Sequence, residues 1–354
     1  MPDTEHSMLS LIADSAAAFL ADHTAQQTDS ENLWKAMAEQ GWTGMLLPEG
    51  AGGVELGLEC AGEVLATICN AGCAGMLLNG ALVPSAVMPA TNALAGRISV
   101  GEISLSLAWQ SELGQTAPYP TGCKYDANKI TGQKVFVQNT DAAQKFLVSA
   151  DGPDGIVLAL VNAQSAGLSV QGYPLSDESQ AADLSFQNVN VEEVLCRGQE
   201  AEQALQFGMH AGMVLGAARL SGLAAITLEK TIAYLQGRDQ FGQPLSHFQV
   251  LQHRVVDLYG QTRLANAGWR NAARRLDKAP HDTATHIAIH AAKARCSDLA
   301  NQVAKSAIQL HGAFGFSEEA GLGVVLGTAL AGSASFGNAA LHRKRMFTLQ
   351  EANQ

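Results

Sequence analysis

Arg238-Asp239-Gln240-Phe241-Gly242 and Gln309-Leu310-His311-Gly312-Ala313-Phe314-Gly315 are the two stretches on which the reading of this chain turns. Each closes or opens a long run of helical periodicity. Apolar residues recur at helical spacing from Ala201 to about Gly237, from Ser246 to about Ala279, and from about Asp282 to Leu310. A shorter run closes the chain. Helices of this length joined by short loops imply a four-helix bundle over residues 198–354.

Working back towards the N-terminus, the periodicity changes. Ser104–Trp109, Lys134–Val137, Lys145–Val148 and Gly155–Val161 are short apolar runs bounded by Gly, Pro, Asp and Asn. Strands at such spacing with no helices between them predict a middle β-barrel or sandwich over residues 101–197. Before them, residues 1–100 return to helical spacing. Leu9, Ile12, Ala16, Phe19 and Leu20 mark one face, and Leu33, Trp34, Met37 and Ala38 mark another, which Gly41 ends as a C′ glycine. A loop at Leu47–Gly53 leads to a longer helix through Cys60, Leu65 and Cys69. The fold class expected is α+β: a helical domain, a barrel, then a bundle.

The 354 residues are 47% hydrophobic and 16% charged with no low-complexity tract, so the chain is globular. A formal charge of −11 disfavours nucleic acid and anionic membrane as partners. The six cysteines lack a Cys-x-x-Cys pair and read as buried thiols, and no metal ligand set is found around them. Met1-Pro2-Asp3-Thr4-Glu5-His6 shows no secretory signal, and the apolar stretch Ala211–Leu228 is interrupted by Arg219. It reads as a packed core helix, not a membrane span. A cytoplasmic, reducing location is the default expectation.

The order helical, β, helical bundle, with these motifs, resembles the acyl-CoA dehydrogenase family over nearly the whole chain. The marks are Leu33–Trp42, Leu47-Pro48-Glu49, Gly52-Gly53, Ile130–Asn139, Arg238-x-x-Phe241-Gly242, Phe248-Gln249 and Gln309–Gly315. The resemblance implies FAD as cofactor and an acyl-CoA thioester as substrate. It also implies an electron-transfer flavoprotein or similar acceptor. Arg238, Phe241, Gln249, Gln309, His311 and Gly312 are then expected at the dinucleotide, and Phe136 and Gln138 on the strand that places an aromatic beside the flavin. Arg238 could give a dianionic pyrophosphate bidentate charge-assisted bonds, and Gly312 and Gly315 would let backbone come close. In the family, the Arg/Phe and Gln/Gly elements reach a neighbour's FAD, which implies an oligomer.

Family chemistry needs a carboxylate to take an α-proton while hydride leaves the β-carbon. Counting forward from Gly315-Phe316, its position falls on Phe336, followed by Gly337 and Asn338. The alternative position, counted back from Arg238, falls on Gly212, and an adjacent arginine position on Met213. No catalytic residue is therefore assigned. The flavin-contacting segment reads Trp109-Gln110-Ser111-Glu112-Leu113-Gly114, and the usual Arg-Asp pair becomes Gly327-Thr328 in an Ala/Gly-rich loop, Gly321–Ala334. Glu318, Glu319, Glu112 and His311 are weak substitute bases. His342-Arg343-Lys344-Arg345 could meet a CoA phosphate, although a basic last helical turn fits better. Asp257 and Arg263 read as a solvated face.

The leading expectation is a base-less subunit of a heteromeric, steroid-type acyl-CoA dehydrogenase, paired with a homologous subunit in an α2β2 heterotetramer. Two rivals stay open. One is a self-sufficient homo-oligomeric flavoenzyme with an unrecognised base, and the other is a scaffold that has lost its flavin.

Overall fold

The computed structural model describes residues 2–26, 29–89 and 92–352, so Met1 lies outside the described residues. Six helices come first: α1 (Pro2–Gln26), α2 (Ser30–Glu39), α3 (Gly57–Thr67), α4 (Gly72–Leu77), α5 (Val83–Val87) and α6 (Leu94–Ser99). Asp29 caps α2 by accepting a bond from the Asn32 N–H at 2.9 Å. Gly41, at φ 74°, ends it in the left-handed conformation expected of a C′ glycine. Trp34 and Met37 are buried from this helix.

The expectation of one helix through Cys60, Leu65 and Cys69 needs correction: α3 stops at Thr67. The turn that follows exposes the Cys69 carbonyl to Arg219, whose Nε donates to it at 3.0 Å. Cys69 and Cys73 therefore do not share a helix. Between α4 and α5 the chain takes a π-helical turn, Leu78–Leu82, which shifts the helix face there.

The middle region is one eight-stranded sheet: β1 (Leu105–Ala108), β2 (Cys123–Asp126), β3 (Lys129–Gln138), β4 (Lys145–Gly152), β5 (Gly155–Asn162), β6 (Leu168–Pro174), β7 (Gln180–Asn190) and β8 (Glu193–Arg197). Its order is β6-β7-β3-β2-β4-β5-β8, with β1 pairing β4 in parallel. Side chains from β1, β2, β3, β4, β5 and β7 meet in a single cluster, including Ile130, Phe146, Val157 and Phe186, so the sheet curls around its own core. Alternate residues of β5 (Ile156, Leu158, Leu160) instead join the helical core, which explains why β5 reads as an unbroken apolar run. β6 is mostly exposed and mixes Leu168 and Val170 with Ser169 and Gln171, so it leaves no continuous apolar run in the sequence.

The bundle follows: α7 (Gly198–Gly237), a hairpin of β9 (Asp239–Gln240) and β10 (Gln243–Pro244), α8 (Gln249–Lys278), α9 (Thr283–His311), α10 (Leu322–Ala334) and α11 (Ala339–Glu351). α7 is the hub, packing on α3, α8, α9 and β5. It has the length and composition of a membrane span, yet 78% of its most apolar window is buried within the protein. The supposed loop Gly321–Ala334 is a second correction, because it is helical from Leu322 onward. Its glycines disfavour helix intrinsically, but they are contact points. A Cβ on Gly327 would collide with the Ser176 carbonyl, and one on Gly332 would come 3.0 Å from Leu220. Tertiary packing overrides local propensity there.

Candidate functional site

Four elements converge where the motifs placed the reacting centre. Trp109 follows β1 and is 5% exposed. Its carbonyl accepts from Lys134 Nζ at 3.1 Å, and Lys134 also donates to the Thr121 carbonyl and to Ser149 Oγ. Lys134 is fully buried, and the loss of solvent pulls its ammonium down to about 8. Phe136 lies in a β-bulge between Lys134 and Val137, at φ 54°. Asp183 holds that bulge: its Oδ1 accepts from the Phe136 N–H at 3.1 Å and from the Tyr173 hydroxyl at 3.0 Å. Burial, then the Asp183 bond, pushes Tyr173 up to about 12.

Phe336 sits on the turn between α10 and α11 at φ 56°, a conformation that side chains other than glycine rarely adopt. Two buried bases anchor the turn. The Gly337 carbonyl accepts from Lys293 Nζ at 3.3 Å and from His342 Nε2 at 3.1 Å. Lys293 also donates to Ser297 Oγ and to the Gly332 and Ser333 carbonyls, which belong to the last turn of α10. Burial lowers Lys293 to about 7. The Phe336 ring is 7% exposed and lies parallel to the Trp109 indole, with centroids 6.3 Å apart. On its other side is Gly212: a Cβ there would stand 2.5 Å from Cε1 and Cζ of the ring. The two positions named for a carboxylate are thus one place in space.

The cleft between these rings retains about 20 Å³, bordered by Asn79, Phe136 and Gln138 among others, room for about one water. Past Asn79 and Gln138 it widens into a cavity of about 320 Å³ that reaches Arg219 and Thr328. Glu112, Glu318 and Glu319 are exposed and line neither compartment. His311 is buried and bonded at Nδ1 to the Ala307 carbonyl.

The remaining motif residues gather at the far end of α7. Phe241 and Gly242 both have positive φ and make the tip of the hairpin, where Phe241 is 89% exposed and edge-on to Phe248. The Leu245 N–H donates to the Arg238 carbonyl, turning the chain back so that Gln249 begins α8 beside it. The cap residue Phe248 offers no side-chain acceptor, so the first amides of α8 stay open. Tyr234 ties this end to α9: its ring stacks on His311 at 4.1 Å and its hydroxyl donates to the His311 carbonyl at 3.2 Å. Arg238, Phe241, Gln249, Gln309 and Gly312 are exposed, and the Arg238 side chain has no bonded partner among the described residues. Phe136 and Gln138 are half-buried and lie in the cleft instead.

A buried histidine group escaped the sequence reading. His342 Nε2 faces a carbonyl and so carries the proton, leaving Nδ1 as acceptor for His290 Nδ1–H at 2.9 Å. Burial holds both imidazoles at about 3, hence neutral. His210 and His286 lie beside them, ring centroids 4.5 Å apart. His286 and His290, spaced i, i+4, were the available signal. The reading of His342–Arg345 as a basic last turn is corrected accordingly. His342 is buried, Arg343 pairs with Asp298, and Arg345 borders the histidine group. All four sit in the first half of α11, which has no basic residue in its last turn. Asp257 and Arg263 are exposed, as expected. Among the described residues no group of three or more His, Cys, Asp or Glu is placed to hold a metal ion.

Residues 4–93 match the acyl-CoA dehydrogenase N-terminal domain and residues 202–347 the acyl-CoA dehydrogenase C-terminal domain. A probable acyl-CoA dehydrogenase of Bacillus subtilis, YngJ, is 28% identical over 219 residues, 59% of this chain and 56% of its own length. The chain thus spans about half the length of that relative. A solved variant of the Tcur3481-Tcur3483 steroid ACAD superposes with TM-score 0.86 at 26% identity, covering 98% of this chain and 99% of that one. The ChsE4-ChsE5 complex from Mycobacterium tuberculosis gives TM-score 0.86 at 18% identity, over 97% of each chain, which speaks to the fold alone.

Proposed function

The chain belongs to the acyl-CoA dehydrogenase family, and on that footing we propose that it is the non-catalytic subunit of a two-chain acyl-CoA dehydrogenase. Its partner, a homologous chain in an α2β2 assembly, supplies the carboxylate base and holds the acyl-CoA thioester. This chain completes the partner's FAD site. FAD, when bound there, supplies the hydride acceptor for α,β-desaturation. An electron-transfer flavoprotein or similar carrier then takes the electrons.

One observation carries this reading. Phe336 packs against Gly212 and parallel to Trp109, leaving about 20 Å³ in the cleft beside them, while Arg238, Phe241, Gln249, Gln309 and Gly312 stand exposed at the other end of α7. A three-ring flavin does not fit the space left between the Phe336 and Trp109 rings. No group of Phe336 can accept a proton, and a glutamate at Gly212 would meet the ring. The exposed end, by contrast, fits an anionic dinucleotide. Arg238 offers a two-pronged guanidinium, the uncapped start of α8 offers amides, and Gly312 lets backbone approach. His311 acts by stacking on Tyr234, keeping the two helix ends in register.

The Tcur3481-Tcur3483 likeness supports a bulky, steroid-type CoA thioester as the substrate of the assembly. Cys69, Cys73, Cys123, Cys196 and Cys296 are buried and unbridged, which supports a reducing, cytoplasmic setting. The test is to purify the chain alone, add FAD, and then add acyl-CoA. The proposal expects no stable yellow protein and no bleaching. A yellow homo-oligomer bleached by an acyl-CoA would overturn it.

A further inference from the structure

Helix α8 carries a face that the partner-subunit reading leaves unused. Its inward side buries Leu258, Thr262, Ala265 and Trp269 in the bundle. The opposite side is bare: Val256 is 66% exposed and Leu264 65%. Gly260 stands midway between them, about one helical turn from each. Glycine is among the least favourable residues in a helix interior. A Cβ on Gly260 would meet nothing within 4 Å, so packing inside this chain gives no reason for its absence. At Gly62, Gly208 and Gly222, by contrast, a Cβ would strike Trp269, Val87 and the Ala66 backbone. An unobstructed glycine between two exposed aliphatic side chains suits the close approach of a second helix.

The charges identify that helix. Asp257 and Arg263 flank the same face, three residues before and three after Gly260. Both are exposed, and neither has a hydrogen bond or ion pair among the described residues. Suppose α8 pairs antiparallel with itself about a two-fold axis at Gly260. Residues equally far before and after the glycine then stand at one level. Val256 meets Leu264 of the second copy, and Asp257 stands level with Arg263 of the second copy, each contact being made twice. A parallel pairing would set Asp257 against Asp257 and Arg263 against Arg263, like charge on like. We propose that two copies of this chain associate through α8 in the antiparallel register, crossing at Gly260. The contact rests on the partner-subunit reading only for its place in the assembly, where it joins two heterologous pairs into α2β2. Gly260 lies 11 residues along α8 from Gln249, about 16 Å at the helical rise. The dinucleotide edge is thereby left to the homologous chain.

Sedimentation equilibrium on the full chain, without flavin, reads the pairing apart from the cofactor. The wild-type chain should dimerise at micromolar concentration. Gly260→Leu should weaken association about tenfold or more without lowering the Tm of the dilute monomer, because its side chain meets nothing in its own chain. Arg263→Glu should weaken association to a similar extent. Adding Asp257→Arg to it should restore association to within about threefold of wild type, since the swap recreates both ion pairs. In the complex co-expressed with a homologous chain, Gly260→Leu should leave one-to-one pairs that keep their flavin. Absence of flavin from a complex whose chains still pair through α8 would fall on the partner-subunit reading alone. The α8 proposal is overturned if the wild-type chain stays monomeric, if Gly260→Leu dimerises as tightly as wild type, or if the charge swap restores nothing. Splitting of the dimer by Arg238→Ala would also overturn it, by placing the contact at the dinucleotide edge.

Discussion

Phe336 and Gly212 occupy one site: the ring of the first fills the volume into which any side chain on the second would grow. Gly212 lies mid-way along α7 and Phe336 on the α10–α11 turn, so the contact locks the bundle's last turn to its central helix. Gly212→Ala should overpack this contact and cost about 1–3 kcal/mol. Phe336→Ala should cost about 3–5 kcal/mol through the cavity it leaves. The double variant should fall short of their sum by 1 kcal/mol or more, because the second change makes room for the first. Denaturant unfolding of the four proteins measures this. Strict additivity would show that the ring is not held against Gly212.

Phe336→Glu places a carboxylate where the family chemistry would want one, but we expect no dehydrogenase activity from it. Met213 and Trp109 remain fully or nearly fully buried, with no polar group for a thioester. Assay of the purified variant with FAD and acyl-CoA checks this, and measurable turnover would show that the narrow cleft beside Trp109 admits flavin and substrate.

Arg238→Ala removes an exposed side chain without a partner, so Tm of the isolated chain should change by little, within about 0.5 kcal/mol of stability. In the assembled complex the same change should weaken FAD retention about tenfold to a hundredfold, the worth of a charge-assisted hydrogen bond at about 1.5–3 kcal/mol. Flavin remaining after dialysis reads this directly, and full retention would count against donation to a partner's site.

Stability should depend on pH in two windows. His290 and His342 are held at about 3 in the fold against an ordinary value near 6.5, so the unfolded chain binds more protons between those values. Their contribution to stability is full above pH 6.5 and is lost as pH falls towards 3, by up to about 1.4 kcal/mol per pH unit for each group. Lys293, at about 7 against 10.5, works the same way higher up: stability rises as pH climbs from 7 to 10.5. His342→Gln, which keeps a donor for the Gly337 carbonyl, should flatten the acid slope. Unfolding midpoints from pH 3 to 7 for both proteins settle the sign, and an unchanged slope would assign acid sensitivity elsewhere.

Sequence patterns exposed what local chemistry controls. Gly41 was legible because a left-handed glycine ends a helix, whereas the hairpin closed by Phe241 and Gly242 was not read from the sequence because its strands are two residues each. β5 was legible because both of its faces are covered. α10 was not, because glycines that argue against helix in isolation turn out to be the points where Ser176 and Leu220 approach. Lys134 and Lys293 look like surface residues in a string of letters. Only the fold reveals that both are fully enclosed and bonded to carbonyls. The position of Phe336 could be counted from Gly315, yet its meeting with Gly212 and Trp109 required three dimensions.

The central claim is that this chain completes a flavin site it does not own. Co-expressing it with a homologous, glutamate-bearing chain, purifying the complex and counting FAD against protein tests that most directly. One flavin for every two chains, lost with Arg238→Ala in this chain, is the expected result. One flavin per chain would contradict the account.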